Sequence, residues 1–150
     1  VKTTHRIAIA GVLTAFLALS ACTPKANTTP FTAPARASDD IATGIKLGLA
    51  AETDLEKQKL LTPQEALKVV DGLSAINVAN IQFNTDLGVA KASGNKSALK
   101  PSLDALRKTV TDLNTNGVLG IKSEKAKATF ALTMQALNLA LATLESFVGN

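Results

Sequence analysis

The chain is poor in side chains that do chemistry. It has one cysteine, Cys22, one histidine, His5, and neither tryptophan nor tyrosine in 150 residues. Cys22 closes the stretch Leu17-Ala18-Leu19-Ser20-Ala21-Cys22, so a thiol able to act as nucleophile, metal ligand or attachment point stands at the end of an apolar run. His5 lies before that run with Lys2 and Arg6, which leaves no imidazole downstream for proton transfer or for a zinc site of the usual Cys and His ligands. The twelve acidic residues are dispersed among lysines, as in Glu56-Lys57-Gln58-Lys59 and Lys122-Ser123-Glu124-Lys125, a pattern of solvated helix faces rather than of a paired acid and base. Asn116-Gly117-Val118-Leu119-Gly120 lacks the spacing and the Lys-Ser/Thr of a phosphate-binding loop and reads as a helix stop and turn. No catalytic, metal-ligating or cofactor-binding residue is therefore expected.

One polar group stands out. On a helix, Asn77, Asn80 and Asn84 fall within an arc of about 60°, beside an apolar stripe, and Asn138 occupies the corresponding place in a later segment. Buried amides are costly unless hydrogen-bonded, and they fix register in helical bundles. These four asparagines are expected to form a polar core or a niche for a small ligand.

The setting of Cys22 is more specific. Residues 1–6 carry Lys2, His5 and Arg6, and the 13 residues Ile7–Leu19 are uncharged and apolar, too few to span a bilayer comfortably. Ser20 and Ala21 are small. A charged start, an apolar centre and a small-residue cleavage zone make a secretory signal peptide, expected over residues 1–21. Within it, Leu19-Ser20-Ala21-Cys22 resembles the lipobox of bacterial lipoproteins: an aliphatic residue, a small residue, Gly or Ala, then Cys. The resemblance implies cleavage before Cys22, lipid attachment to its thiol, acylation of the new amino group, and residence in the cell envelope. Thr23, where Asp is the usual inner-membrane retention signal, implies the outer membrane facing the periplasm if the source has two membranes. Lipidation also accounts for a lone thiol in an oxidising compartment, where an unpaired cysteine is a liability.

Removing Lys2 and Arg6 with the signal segment leaves 14 basic and 12 acidic residues, so a formal +4 becomes +2. The basic residues alternate with acids and no aromatic platforms accompany them, which argues against nucleic acid as a partner.

Residues 22–37, with Pro24, Pro30 and Pro34 among Thr, Ala and Asn, are expected to be a flexible Pro/Thr-rich tether. From Ser38 the apolar period becomes 3.6. Ser38-Asp39-Asp40 reads as a helix cap with acids against the dipole, followed by Ile41, Ile45, Gly48, Glu52 and Leu55, predicting a helix to about Leu60. Thr62-Pro63-Gln64-Glu65 is a capping box opening a second helix, whose face is Val69, Leu73, Ile76, Asn80, Phe83 and Leu87, with Gly94 as its stop. A third begins near Ser97, tolerates Pro101, repeats Leu99, Leu103, Leu106, Val110 and Leu113, and is expected to end at Asn116-Gly117. Ser123 opens a fourth with Phe130, Met134, Leu137, Leu141, Leu144 and Val148 on one face. Between Ala128 and Glu145 this last helix holds a single charge, yet Gln135, Asn138 and Glu145 cluster away from Phe130, which favours a bundle helix over a membrane span.

A shift of 61 residues places Thr62 on Ser123, Val69 on Phe130, Leu73 on Met134, Ile76 on Leu137 and Asn77 on Asn138, a weak internal duplication. The expected fold is all-α: an antiparallel four-helix bundle over 38–150, built of hairpins at about 38–94 and 97–148. With the lipoprotein resemblance, the expected role is a non-enzymatic, membrane-anchored envelope module that is structural or binds an envelope protein. The alternative is an exported carrier or sensor of a small apolar ligand, held near Phe83, Phe130 and Asn80.

Overall fold

The computed structural model describes residues 30–149, so Cys22, the signal-like segment and residues 22–29 of the expected tether lie outside the described residues. The described residues are all helical in architecture, with no strand: α1 (Thr32–Lys57), α2 (Pro63–Ser93), α3 (Lys100–Asp112) and α4 (Glu124–Gly149). A 3₁₀ turn, Lys96–Leu99, leads into α3, and a π-helix, Leu113–Val118, continues it.

The first helix starts at Thr32, six residues before the expected Ser38. Pro34 fits a first turn because its missing N–H has no intrahelical acceptor there, and Ala33, Ala35 and Ala37 favour the helix strongly. Ser38 is consequently not a cap: it is buried within α1, as are Pro34 and Ala37. Asp39 and Asp40 lie beyond the first turn and have lost the dipole that the sequence reading assigned them. The tether is shortened by the same difference, since its last six residues, 32–37, are helix. Eight residues lie between Cys22 and Phe31, nine steps along the chain and a reach of at most about 30 Å when fully extended.

The end of α1 has a defined geometry. Lys59 adopts a left-handed backbone, φ 58°. The Leu60 N–H donates to the Leu55 carbonyl at 2.9 Å and the Lys59 N–H to that of Glu56 at 2.8 Å, a Schellman closure with lysine where glycine is usual. The capping box of α2 forms as expected. Glu65 N donates to Thr62 Oγ1 at 3.2 Å and Thr62 N to Glu65 Oε2 at 2.8 Å, and Gly94, φ 70°, ends the helix. Ser123 caps α4 at the equivalent position, accepting from Ala126 N at 3.3 Å.

The predicted faces are the core. Ile41, Ile45 and Leu55 of α1, Val69, Leu73, Ile76, Phe83 and Leu87 of α2, Leu99 to Leu113 of the third segment, and Phe130, Met134, Leu137, Leu141 and Leu144 of α4 are buried together; Val148 is partly so. The α-helical part of the third segment stops at Asp112, short of the expected Asn116-Gly117, and the chain widens into the π-helix. Leu113 opens this π-helix, and its side chain lies where a Cβ on Gly72 or Gly117 would come within 2.6 and 2.9 Å of Cδ1. Two glycines thus make room for one leucine at this crossing.

α1 packs most extensively on α4 and then on α2, while α3 lies chiefly on α2 with a smaller contact to α4. Along the α1 to α4 contact, residue numbers run in opposite directions. Phe31 meets Phe147, Gly44 faces Leu137, Gly48 faces Thr133, and Gln58 accepts from Lys125. Gly48 also faces Leu73, so the α1 backbone comes close to α2 and α4 at one level.

Candidate functional site

Of the four asparagines expected to line a niche, only Asn80 is inside. Its Oδ1 accepts from Ser38 Oγ at 2.7 Å and its Nδ2 donates to the Ser38 carbonyl at 3.0 Å, with both residues at most 3% exposed. The pair joins α1 to α2 and satisfies the buried amide internally. Asn77, Asn84 and Asn138 are exposed, which corrects the reading of a shared polar niche. The physical reason is arc width: Asn80 falls near the centre of the buried stripe of α2, whereas Asn77 and Asn84 fall on its flank and Asn138 beyond the buried stripe of α4, where a side chain turns out to water. Phe83 and Phe130 are closed off with Asn80, at 0% and 1% exposure, and line neither of the grooves described next.

One groove, of about 360 Å³, opens between α2 and the α3 and π-helix segment. Gly72 and Gly117 let the two backbones approach there, Leu113 forms the base, and Lys68, Asp71, Thr109, Asp112 and Asn116 supply the polar lining. Much of that polarity is already engaged: Asp112 pairs with Lys108 at 2.6 Å, and Thr109 Oγ1 donates to the Leu106 carbonyl at 2.8 Å. The arrangement suits reversible hydrogen bonding and offers no nucleophile beside a base. Sequence reasoning missed this groove, because its floor depends on a π-helix that the 4-3-4-3 apolar spacing does not distinguish from continued α-helix.

A second groove, of about 530 Å³, lies on the end of the molecule where α1 begins. Ala33, Lys96, Leu139, Ala142 and Phe147 are among its walls. Phe31 and Phe147 meet edge to face there, 5.3 Å between centroids, and the Lys96 ammonium stands 4.7 Å from the Phe147 ring centre. The aromatic pair ties the first described residues to the last turns of α4.

Two carboxylates are perturbed in opposite directions. Hydrogen bonds from the backbone N–H groups of Thr62 and Lys122 and from the Thr62 hydroxyl hold Glu65 below its ordinary value. Partial burial, reinforced by the neighbouring charge of Asp39, pushes Asp40 up. Among the described residues the only buried acid is Glu52, which accepts from Thr53 Oγ1 at 3.3 Å. No group of three or more metal-ligating side chains occurs among the described residues.

α4 is the one helix among the described residues long and apolar enough to cross a membrane by length and composition, but its Phe130 face is buried against the other helices. Compared with known proteins, the chain matches no family model, no curated sequence and no solved structure.

Proposed function

We propose that the chain is a lipid-anchored, non-enzymatic module of the bacterial cell envelope, structural or protein-binding, held to the membrane through acylated Cys22. The observation that carries this reading is Leu19-Ser20-Ala21-Cys22 directly behind the apolar run Ile7–Leu19. A helical unit whose first helix opens at Thr32, a short reach beyond Cys22, is consistent with it. Thr23 favours the outer membrane, periplasmic side, in a cell with two membranes. The helical unit is read as an antiparallel four-helix bundle of two hairpins, on the support of the opposed contacts between α1 and α4 and of α1 with α2, where Ser38 meets Asn80 and Gly48 meets Leu73. Its mechanism is presentation: the anchor fixes one end, the short link sets the reach, and the outer helix faces are offered to a partner.

The test is the intact mass of the protein purified from bacterial membranes, beside a Cys22→Ser variant. A diacylglyceryl- or triacyl-modified chain beginning at Cys22, lost in the variant, is expected. An unmodified chain cut elsewhere overturns the proposal and returns the exported ligand carrier as the better reading.

A further inference from the structure

The groove between α2 and the π-helix carries charges of both signs, and the glycines show how they are arranged along it. A Cβ added to Gly117 would come within 3.7 Å of the Lys68 carbonyl, and one added to Gly72 within 3.4 Å of the Leu113 Cα, so the two walls run past each other with residue numbers in opposite directions. Asn116 therefore stands opposite the Lys68 end, and Asp112, four residues earlier, nearer Asp71. One end offers an ammonium and an amide, the other two carboxylates. Lys68, Asp71 and Asn116 are exposed, and none forms an ion pair or a side-chain hydrogen bond among the described residues, although Lys68 and Asp71 stand three apart on one helix. Asp112 is held by Lys108, an exposed pair of little strength. Beneath these groups the floor is apolar, with buried Leu113 and, beside it, Ala75.

We infer that this groove is a binding site for a small zwitterion, a free α-amino acid with an aliphatic side chain. Its carboxylate lies between the Lys68 ammonium and the Asn116 amide, its ammonium between Asp71 and Asp112, and its side chain over Leu113. Elimination selects the class. A simple anion would meet the carboxylates of Asp71 and Asp112, and a simple cation would meet Lys68. A neutral apolar molecule would cover all of these polar groups without giving any of them a partner. A ligand with both charges on neighbouring atoms gives each group its complement. The volume of about 360 Å³ stands at the small end of ligand sites, which suits a molecule of this size. A π-helix in the wall agrees with the assignment, since such segments recur at functional sites. The inference draws nothing from Cys22 and is independent of the anchor reading.

The experiment titrates L-leucine into the isotope-labelled full chain, as purified from membranes into neutral detergent, and follows the backbone amide resonances at neutral pH. Saturable shifts at Gly72, Asn116 and Gly117 are expected, with a dissociation constant of about 1–10 mM. Lys68→Met and Asp71→Asn should each weaken binding about threefold or more, the loss of one exposed ion pair. Both replaced side chains are exposed and unpaired, and the unmoved resonances of α1 and α4 report that each variant keeps its fold. Leucine methyl ester, which lacks the carboxylate, and isocaproate, which lacks the ammonium, should each bind about threefold more weakly or worse. Absence of saturable shifts up to about 50 mM leucine overturns the inference, as does saturation confined to residues outside the groove. Equal binding of the methyl ester makes the groove a cation site, and equal binding of isocaproate makes the ammonium irrelevant; either result overturns it too. Binding that both substitutions leave unchanged does the same.

Discussion

Asn80 and Ser38 form the polar contact in which the interior is most exposed to mutation. Each satisfies the other, so Ser38→Ala or Asn80→Leu alone leaves a buried polar group without its partner and is expected to lower unfolding free energy by about 1–3 kcal/mol. The double variant should cost clearly less than the sum, since both polar groups are then gone; urea denaturation of the four species measures the coupling. Leucine is the natural replacement, because Leu141 occupies the repeat-equivalent place on α4 and is buried. The two perturbed carboxylates give a pH signature of opposite signs. Glu65 is held low by hydrogen bonds to its charged form, so its contribution is present above the unfolded-state value near 4.5 and fades as pH falls through the lower folded value. Asp40 is raised, so it favours folding only below the unfolded value near 3.8 and opposes it as pH climbs through the folded value. Melting temperature against pH should therefore lose part of its acid-side slope in Glu65→Gln, while Asp40→Asn should leave neutral-pH stability unchanged or slightly higher.

At the scale of the element, the apolar period carried most of the information. Every residue named on the faces of the second and third helices is buried, and the caps at Thr62, Ser123 and Gly94 stand where turn chemistry puts them. Two features were illegible for physical reasons. Ser38-Asp39-Asp40 has the composition of a cap, but an alanine-rich turn opened by Pro34 extends the helix past it, and the serine finds a tertiary partner instead. The π-helix opens at Leu113, whose side chain enters a space left by Gly72 and Gly117, a long-range match of volumes that no local pattern encodes. The candidate site fared differently, because Asn77 and Asn84 sit only tens of degrees round α2 from the buried Asn80, and Asn138 lies just beyond the buried stripe of α4. The closure of α1 offers its own test. Lys59 carries a Cβ in a left-handed conformation, so Lys59→Gly should raise stability by up to about 1 kcal/mol. Thermal unfolding, with α1 helicity followed by circular dichroism, checks it; a loss would mean that the Lys59 side chain contributes more than its backbone costs.

Over the whole molecule, α2 presents an outward stripe that the bundle does not use. Leu67, Val78, Ile81 and Val89 are each more than half exposed and fall on one side of the helix, and Leu139, the repeat mate of Val78, is exposed likewise on α4. Because these side chains bury little against the other helices, Val78→Ser and Val89→Ser together are expected to change unfolding free energy by less than about 1 kcal/mol, in contrast to the core positions one step round the helix. Equilibrium denaturation with the Ile76→Ala comparison makes that contrast measurable, since deleting a fully buried isoleucine costs about 2–5 kcal/mol.

The broadest helix contact joins the first described helix to the last. A chain delivered from its N-terminus, whether by a ribosome or through a translocation channel, holds α1 without its most extensive packing partner until the 26 residues of α4 arrive. Completion of the core thus waits for α4, and release of the chain before α4 is made is the moment of greatest exposure to proteases.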